Sequence, residues 1–201
     1  MFNLYSNKLM LAGAFLVLMS FSFSGYADDI EDSIKEGLQY YKSGEYKDAV
    51  ESLNYATQLI QQKKGKGLES FLPEPLKGWT AQKASSQAAG AAMFGGGVTA
   101  EREYSKGSSS ISIKIITDSP IMQSMMMMFS NPMIATSDGG KLERIGRQKA
   151  IVKFDPDNKE GDIKIVVANR FLVLIEGRET TMEDMKAYAK AIDYKKLKSL
   201  P

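Results

Sequence analysis

Met122, Met125, Met126, Met127 and Met128, with Met133 nearby, are the most unusual chemistry this sequence offers. Thioethers are soft donors that can hold Cu(I) without help from Cys or His. On a helix, Met122 and Met126, or Met125 and Met128, share a face at i+4 or i+3 spacing. Met122, Met125, Met126 and Met128 are therefore the candidate contacts for a soft metal ion or an apolar small molecule. Packing is the competing reading. Methionine fills irregular apolar gaps, and this segment is apolar almost all round. No metal site is firmly expected, and no cofactor.

The chain contains neither Cys nor His. That removes disulfides, thiolate metal sites, a Cys nucleophile and any Ser-His-Asp arrangement. It also removes the usual general base near neutral pH. Glu101, Glu103, Asp118, Asp138, Asp155 and Asp157 are the carboxylates that could pair for acid-base work. They fall in turns or at alternating strand positions, where solvated acids are ordinary. Asp155-x-Asp157-x-Lys159 breaks a calcium loop at its fifth position, and Val166 stands where the terminal acid belongs. Gly95 to Gly97 is no phosphate loop, because no Gly-Lys-Ser/Thr follows. A non-enzyme is the expectation.

The formal charge is +2, and removing residues 1–27 takes away only Lys8, leaving +1. Such a balance gives no bulk attraction to nucleic acid. Residues 1–27 read as a secretory signal peptide. Lys8 precedes an uncharged apolar run from Leu9 to Phe23, and Gly25 and Ala27 supply small residues for cleavage after Ala27. About 15 apolar residues are short for a span of ~30 Å. The expectation is a periplasmic protein with no stable membrane span after cleavage. An exported chain without cysteine fits that compartment.

The elements that must position these groups begin at Ile30. Ile34, Leu38 and Tyr41 recur at helical spacing, as do Val50, Leu53 and Leu59, with Ser43-Gly44 as punctuation. Two helices, ending near Gln62, are expected within residues 28–66. Lys63 to Lys66, with Gly65 and Gly67, reads as a flexible break. Gly37, Tyr40, Gly44, Tyr46, Ala49, Leu53 and Ala56 fall at spacings that resemble one tetratricopeptide repeat. In that motif, large and small residues alternate so that antiparallel helices approach closely. The resemblance implies protein interaction, and for an exported chain the expected partner is an envelope protein. Tyr40 and the outward Tyr41 and Tyr46 are the candidate partner contacts.

Residues 67–97 read as a connector. Pro73 and Pro75 forbid a helix interior, while Leu68, Phe71, Leu72, Leu76 and Trp79 predict docking on a core. Ala84 to Gly97 is rich in small residues and predicts a loop, with Met93 and Phe94 on a possible flap hinged at Gly95 to Gly97.

Residues 98–201 predict an α+β domain with a mainly antiparallel sheet and two helices. Val98–Ser105 and Ile111–Ile116 read as strands. A helix follows Pro120, with Asp118 or Ser119 as cap. Gly161 to Gly177 reads as a β-hairpin turning at Ala168 to Arg170. Ile163, Ile165 and Val167 then share a face with Phe171, Val173 and Ile175. Thr180 and Glu183 read as a capping box for the last helix. The element order is similar to small lumenal and periplasmic sandwiches of the PsbP type. Together these features predict an exported binding protein acting through protein contacts, or alternatively a carrier of an apolar ligand or soft metal ion.

Overall fold

The computed structural model describes residues 25–88, 97–137 and 139–200. The expected leader up to residue 24, the Met93/Phe94 flap with Gly95, and Asp138 lie outside the described residues. Two helices precede an open antiparallel sheet of eight described strands and further helices, so the class is α+β.

Helices α1 (Gly25–Ser43) and α2 (Tyr46–Glu69) form the hairpin. Gly44 takes φ +82. Its N–H donates to the Tyr41 carbonyl at 3.2 Å, and the Glu45 N–H donates to that of Tyr40 at 2.9 Å. Those bonds close the end of α1, and glycine tolerates the left-handed conformation they need. The break expected at Lys63 to Gly67 is corrected, because α2 runs on to Glu69. Gly65 serves close approach instead. A Cβ there would lie 2.9 Å from the Ser86 Cβ and 3.3 Å from the Val98 Cγ1. Leu68, three residues on, is buried in the core.

The strands are β1 (Thr80–Ala81), β2 (Ser85–Ala88), β3 (Val98–Lys106), β4 (Ser109–Thr117), β5 (Lys141–Ile145), β6 (Gln148–Asp155), β7 (Glu160–Val167) and β8 (Phe171–Arg178). Their order is β1-β3-β4-β8-β7-β6-β5, with β2 also paired to β3, and the pairings are antiparallel. β2 corrects the expectation of a loop from Ala84. The edge of β3 offers unpaired N–H and C=O groups, and Ser85 to Ala88 satisfy them with backbone alone. The β7–β8 hairpin has the expected register. Val167 pairs with Phe171, and Ala168 and Asn169 turn the chain at φ 52 and 54.

One sheet face carries Ile111, Ile113, Ile115, Ile163, Ile165, Val173 and Ile175 into the core. The connector covers it with Leu68, Phe71, Leu72 and Trp79. Helices α5 (Met182–Ala191) and α6 (Tyr194–Lys198) complete the cover through Met185, Tyr188, Ala189 and Leu197. Trp79 meets the Tyr188 ring edge-on at 5.3 Å, and the Tyr104 ring lies 4.4 Å from that of Tyr188. Proline makes the connector rigid, and its unpaired backbone groups find side-chain partners. The Tyr104 hydroxyl donates to the Pro73 carbonyl at 2.7 Å, and the Leu76 N–H donates to the Tyr188 oxygen at 3.3 Å.

The opposite face is partly covered by α3 (Ile121–Ser130), which α4 (Pro132–Thr136) follows. Among the described residues, four helices therefore accompany the sheet, where two were expected; α4 and α6 have five residues each. Of the two expected caps for α3, Ser119 accepts the Ile121 N–H on its hydroxyl oxygen at 3.4 Å. Asp118, expected as a possible cap, stands at φ 57 and pairs with Lys64 of α2. The capping box is shifted by one residue: Thr181, not Thr180, accepts the Asp184 N–H at 3.1 Å.

Candidate interaction surface

The seam between α1 and α2 is made of small groups. Ser33, Gly37, Ala49, Ser52 and Ala56 are buried. A Cβ on Gly37 would come 2.8 Å from the Leu53 Cγ, so the two backbones are closer than larger side chains would permit. The Ser52 hydroxyl crosses the seam to the Glu36 carboxylate at 3.1 Å. Close approach leaves the large apolar residues outside. Ile34, Leu38 and Tyr41 on α1, and Tyr46, Val50, Leu53 and Ile60 on α2, are each 43–64% exposed. Turning each helix by 100° per residue puts both sets on the same flank of the seam. The Tyr41 and Tyr46 rings, 5.9 Å apart, join the two stripes at the hairpin tip.

Of the three tyrosines expected to meet a partner, Tyr41 and Tyr46 belong to this face. Tyr40 does not. It is half-buried on the other flank, where the charge of Glu36 raises its phenol above the ordinary value. For Ile34, Leu38, Val50 and Leu53, helical periodicity was legible and the flank they occupy was not. The missed signal is the spacing Tyr46, Val50, Leu53, Thr57, Ile60, which steps four and three in turn like a coiled-coil seam.

The methionine helix lies elsewhere. Met122 and Met125 are buried against Ile116 and Leu172, with Ile121, Met128 and Val166 packed around them. Met126 is half-buried and Met127 is exposed. Three of the four candidate methionines, Met122, Met125 and Met128, therefore share the face that rests on the sheet. Among the described residues, no group of three acidic side chains could hold a metal ion.

Beyond α3 the outer sheet face is polar, which the sequence reading did not single out. Alternation puts Glu101, Ser112, Lys114, Asp162, Lys164 and Glu176 on it. The Lys114 ammonium lies 3.4 Å from Glu101 and 3.0 Å from Glu176, and Ser112 donates to Glu101 at 2.9 Å. Partial burial pulls Lys114 down, but the bond to Glu176 and the charge of Glu101 hold it above its ordinary value. Lys164 pairs with Asp162. A depression of about 380 Å³ on this face is lined by Gln82, Glu101, Glu103, Ser112, Lys114 and Glu176 among others. Opposite charges laddered across neighbouring strands satisfy one another and stabilise the pairing. Asp155 is likewise occupied with its own turn, accepting the Asp157 N–H at 2.9 Å and the Asn158 side chain at 2.8 Å. Its carboxyl is held below the usual range by those Asn158 bonds.

No protein family matches the chain, and no curated protein or solved structure is significantly similar to it. Among the described residues, no helix is long and apolar enough to cross a membrane.

Proposed function

We propose that this chain is an exported, non-enzymatic binding protein of the bacterial envelope that works through protein contacts on its helical hairpin. The observation that carries this reading is the exposed stripe of Ile34, Leu38, Tyr41, Tyr46, Val50, Leu53 and Ile60. Large apolar groups in one contiguous band mark a surface meant to be covered. Tyrosines within the band add area at a small entropic cost, as they do at protein interfaces. The resemblance of the hairpin to a tetratricopeptide repeat points the same way. Export is supported by the apolar run ending in Gly25 and Ala27 and by the absence of cysteine. Cleavage after Ala27 would leave Asp28, Asp29, Glu31 and Asp32 in the first turns of α1, where acids complement the helix dipole.

A photoreactive residue placed at Tyr41 or Tyr46 in the periplasm should yield a protein adduct, and one at Ser112 should not. No adduct from the hairpin, or equal adducts from all three positions, would refute the proposal. The mass of the periplasmic protein should correspond to a chain beginning at Asp28.

A further inference from the structure

We infer that the occupant of the hairpin's apolar face is a second copy of this chain, the two hairpins closing into a four-helix bundle. The inference rests on the binding role just proposed and names the partner. Three observations carry it. The first is the shape of the stripe. Tyr46, Val50, Leu53, Thr57 and Ile60 recur at 3.5-residue spacing on α2, and Ile34, Leu38 and Tyr41 continue the band on α1. A seam at that spacing takes other helices at a shallow crossing angle, whereas a strand or a small molecule would leave most of it bare. A hairpin with seams on both helices needs two helices opposite, and an identical hairpin supplies them in register.

The second observation is area. Seven side chains at 43–64% exposure leave on the order of 700 Å² of surface. That exceeds the ~300–600 Å² of the largest patch on an ordinary monomer. It is close to the ~800 Å² per partner of a standard interface. The third is access. α1 packs on α2, and α2 reaches the sheet through Gly65 and Leu68 near its C-terminal end. The tip around Tyr41, Tyr46 and Val50 therefore stands clear for a partner of equal length. Glu31, Lys35 and Lys42 put both charge signs on the α1 edge of the band, so two copies meet without one-signed repulsion.

The test combines sedimentation equilibrium of the full mature chain with photo-cross-linking at Tyr46 in cells. The expected result is a concentration-dependent dimer and an adduct of twice the chain mass. Val50→Glu should weaken association at least tenfold. It should leave the helical circular dichroism and Trp79 emission unchanged, because Val50 is exposed and Glu is the better helix former. A monomer that cross-links to a different protein would overturn the dimer and leave the binding role standing. A monomer with no adduct would overturn both. A monomer cross-linked internally to Met93 or Phe94 would show the face covered by its own chain, and would also overturn the dimer.

Discussion

Gly65 and Gly67 sit two residues apart in the last turns of α2, and the fold gives them opposite roles. A Cβ on Gly67 would meet nothing within 4 Å. Gly67→Ala should therefore gain only the helix preference of alanine, about 0.5–1 kcal/mol. A Cβ on Gly65 would meet the Ser86 Cβ at 2.9 Å and the Ser86 Oγ at 3.0 Å. Ser86 cannot withdraw freely, because its strand is paired to β3 and its hydroxyl donates to Glu69 at 2.6 Å. Crowding of that kind costs about 1–3 kcal/mol. Set against the same propensity gain, Gly65→Ala should lose up to about 2 kcal/mol. At roughly 2–4 °C per kcal/mol for a chain of this size, Gly67→Ala should raise the melting temperature and Gly65→Ala should lower it. Trp79 is the only tryptophan and is buried beside Tyr188, so its emission reports the core while circular dichroism reports the helices. Ser86→Gly in the Gly65→Ala background should recover part of the loss, with a favourable coupling of about 1 kcal/mol. Equal stabilisation by Gly65→Ala and Gly67→Ala would mean that α2 does not reach the sheet at Ser86.

Ala168→Gly should raise the midpoint of urea unfolding by relieving a left-handed alanine at φ 52, a gain of about 1 kcal/mol; an unchanged or lower midpoint refutes it. Tyr188→Ala removes the ring that both Trp79 and Tyr104 contact and should cost about 3–5 kcal/mol. Tyr188→Phe removes only the acceptor for the Leu76 N–H and should cost about 1 kcal/mol. Equal losses in the two variants would show that the hydrogen bond, not the packing, dominates. Burial pushes the phenols of Tyr104, Tyr188 and Tyr194 up, so the fold favours their protonated forms. Their contribution is complete below the ordinary phenol pKa of about 10 and is lost as pH rises through the folded-state values. A late tyrosinate absorbance step should therefore coincide with the change in Trp79 emission, and a single early step with no unfolding would refute it.

The β7–β8 hairpin was legible because two β-branched apolar runs flank Asn169 and Arg170, and a three-residue turn puts Ile163, Ile165 and Val167 on one face with Phe171, Val173 and Ile175. Other elements were hidden by ambiguity of a physical kind. Gly65 reads as a helix breaker in isolation, yet its lost propensity is offset by the close packing against Ser86 and Val98 that only the folded chain reveals. β2 has no apolar period to read, since its pairing with β3 is made by backbone. Thr180 and Thr181 each stand three residues before an acid, so two capping boxes overlap in the sequence. Thr181 accepts the Asp184 N–H, while Thr180 is turned into the interior beside Gly177. The docked connector was legible for the opposite reason. Prolines spaced among Leu72, Leu76 and Trp79 leave extended, apolar backbone with little choice but to lie on a core.

The helical hairpin marks where periodicity stops being enough. Its repeat showed that each helix has an apolar arc, and the arc is wider than a single seam requires. Which part of the arc meets the sister helix depends on size. Gly37, Ala49 and Ala56 allow the closest approach, so they take the seam and displace Ile34, Leu38, Val50 and much of Leu53 to the flank. Replacing Gly37 by a larger residue would collide with Leu53, so the hairpin cannot turn its large residues inward by a small rotation. Exposure of the stripe is thus a consequence of how the two helices fit. The same small residues that tighten the seam therefore decide which large apolar groups stand exposed on the flank.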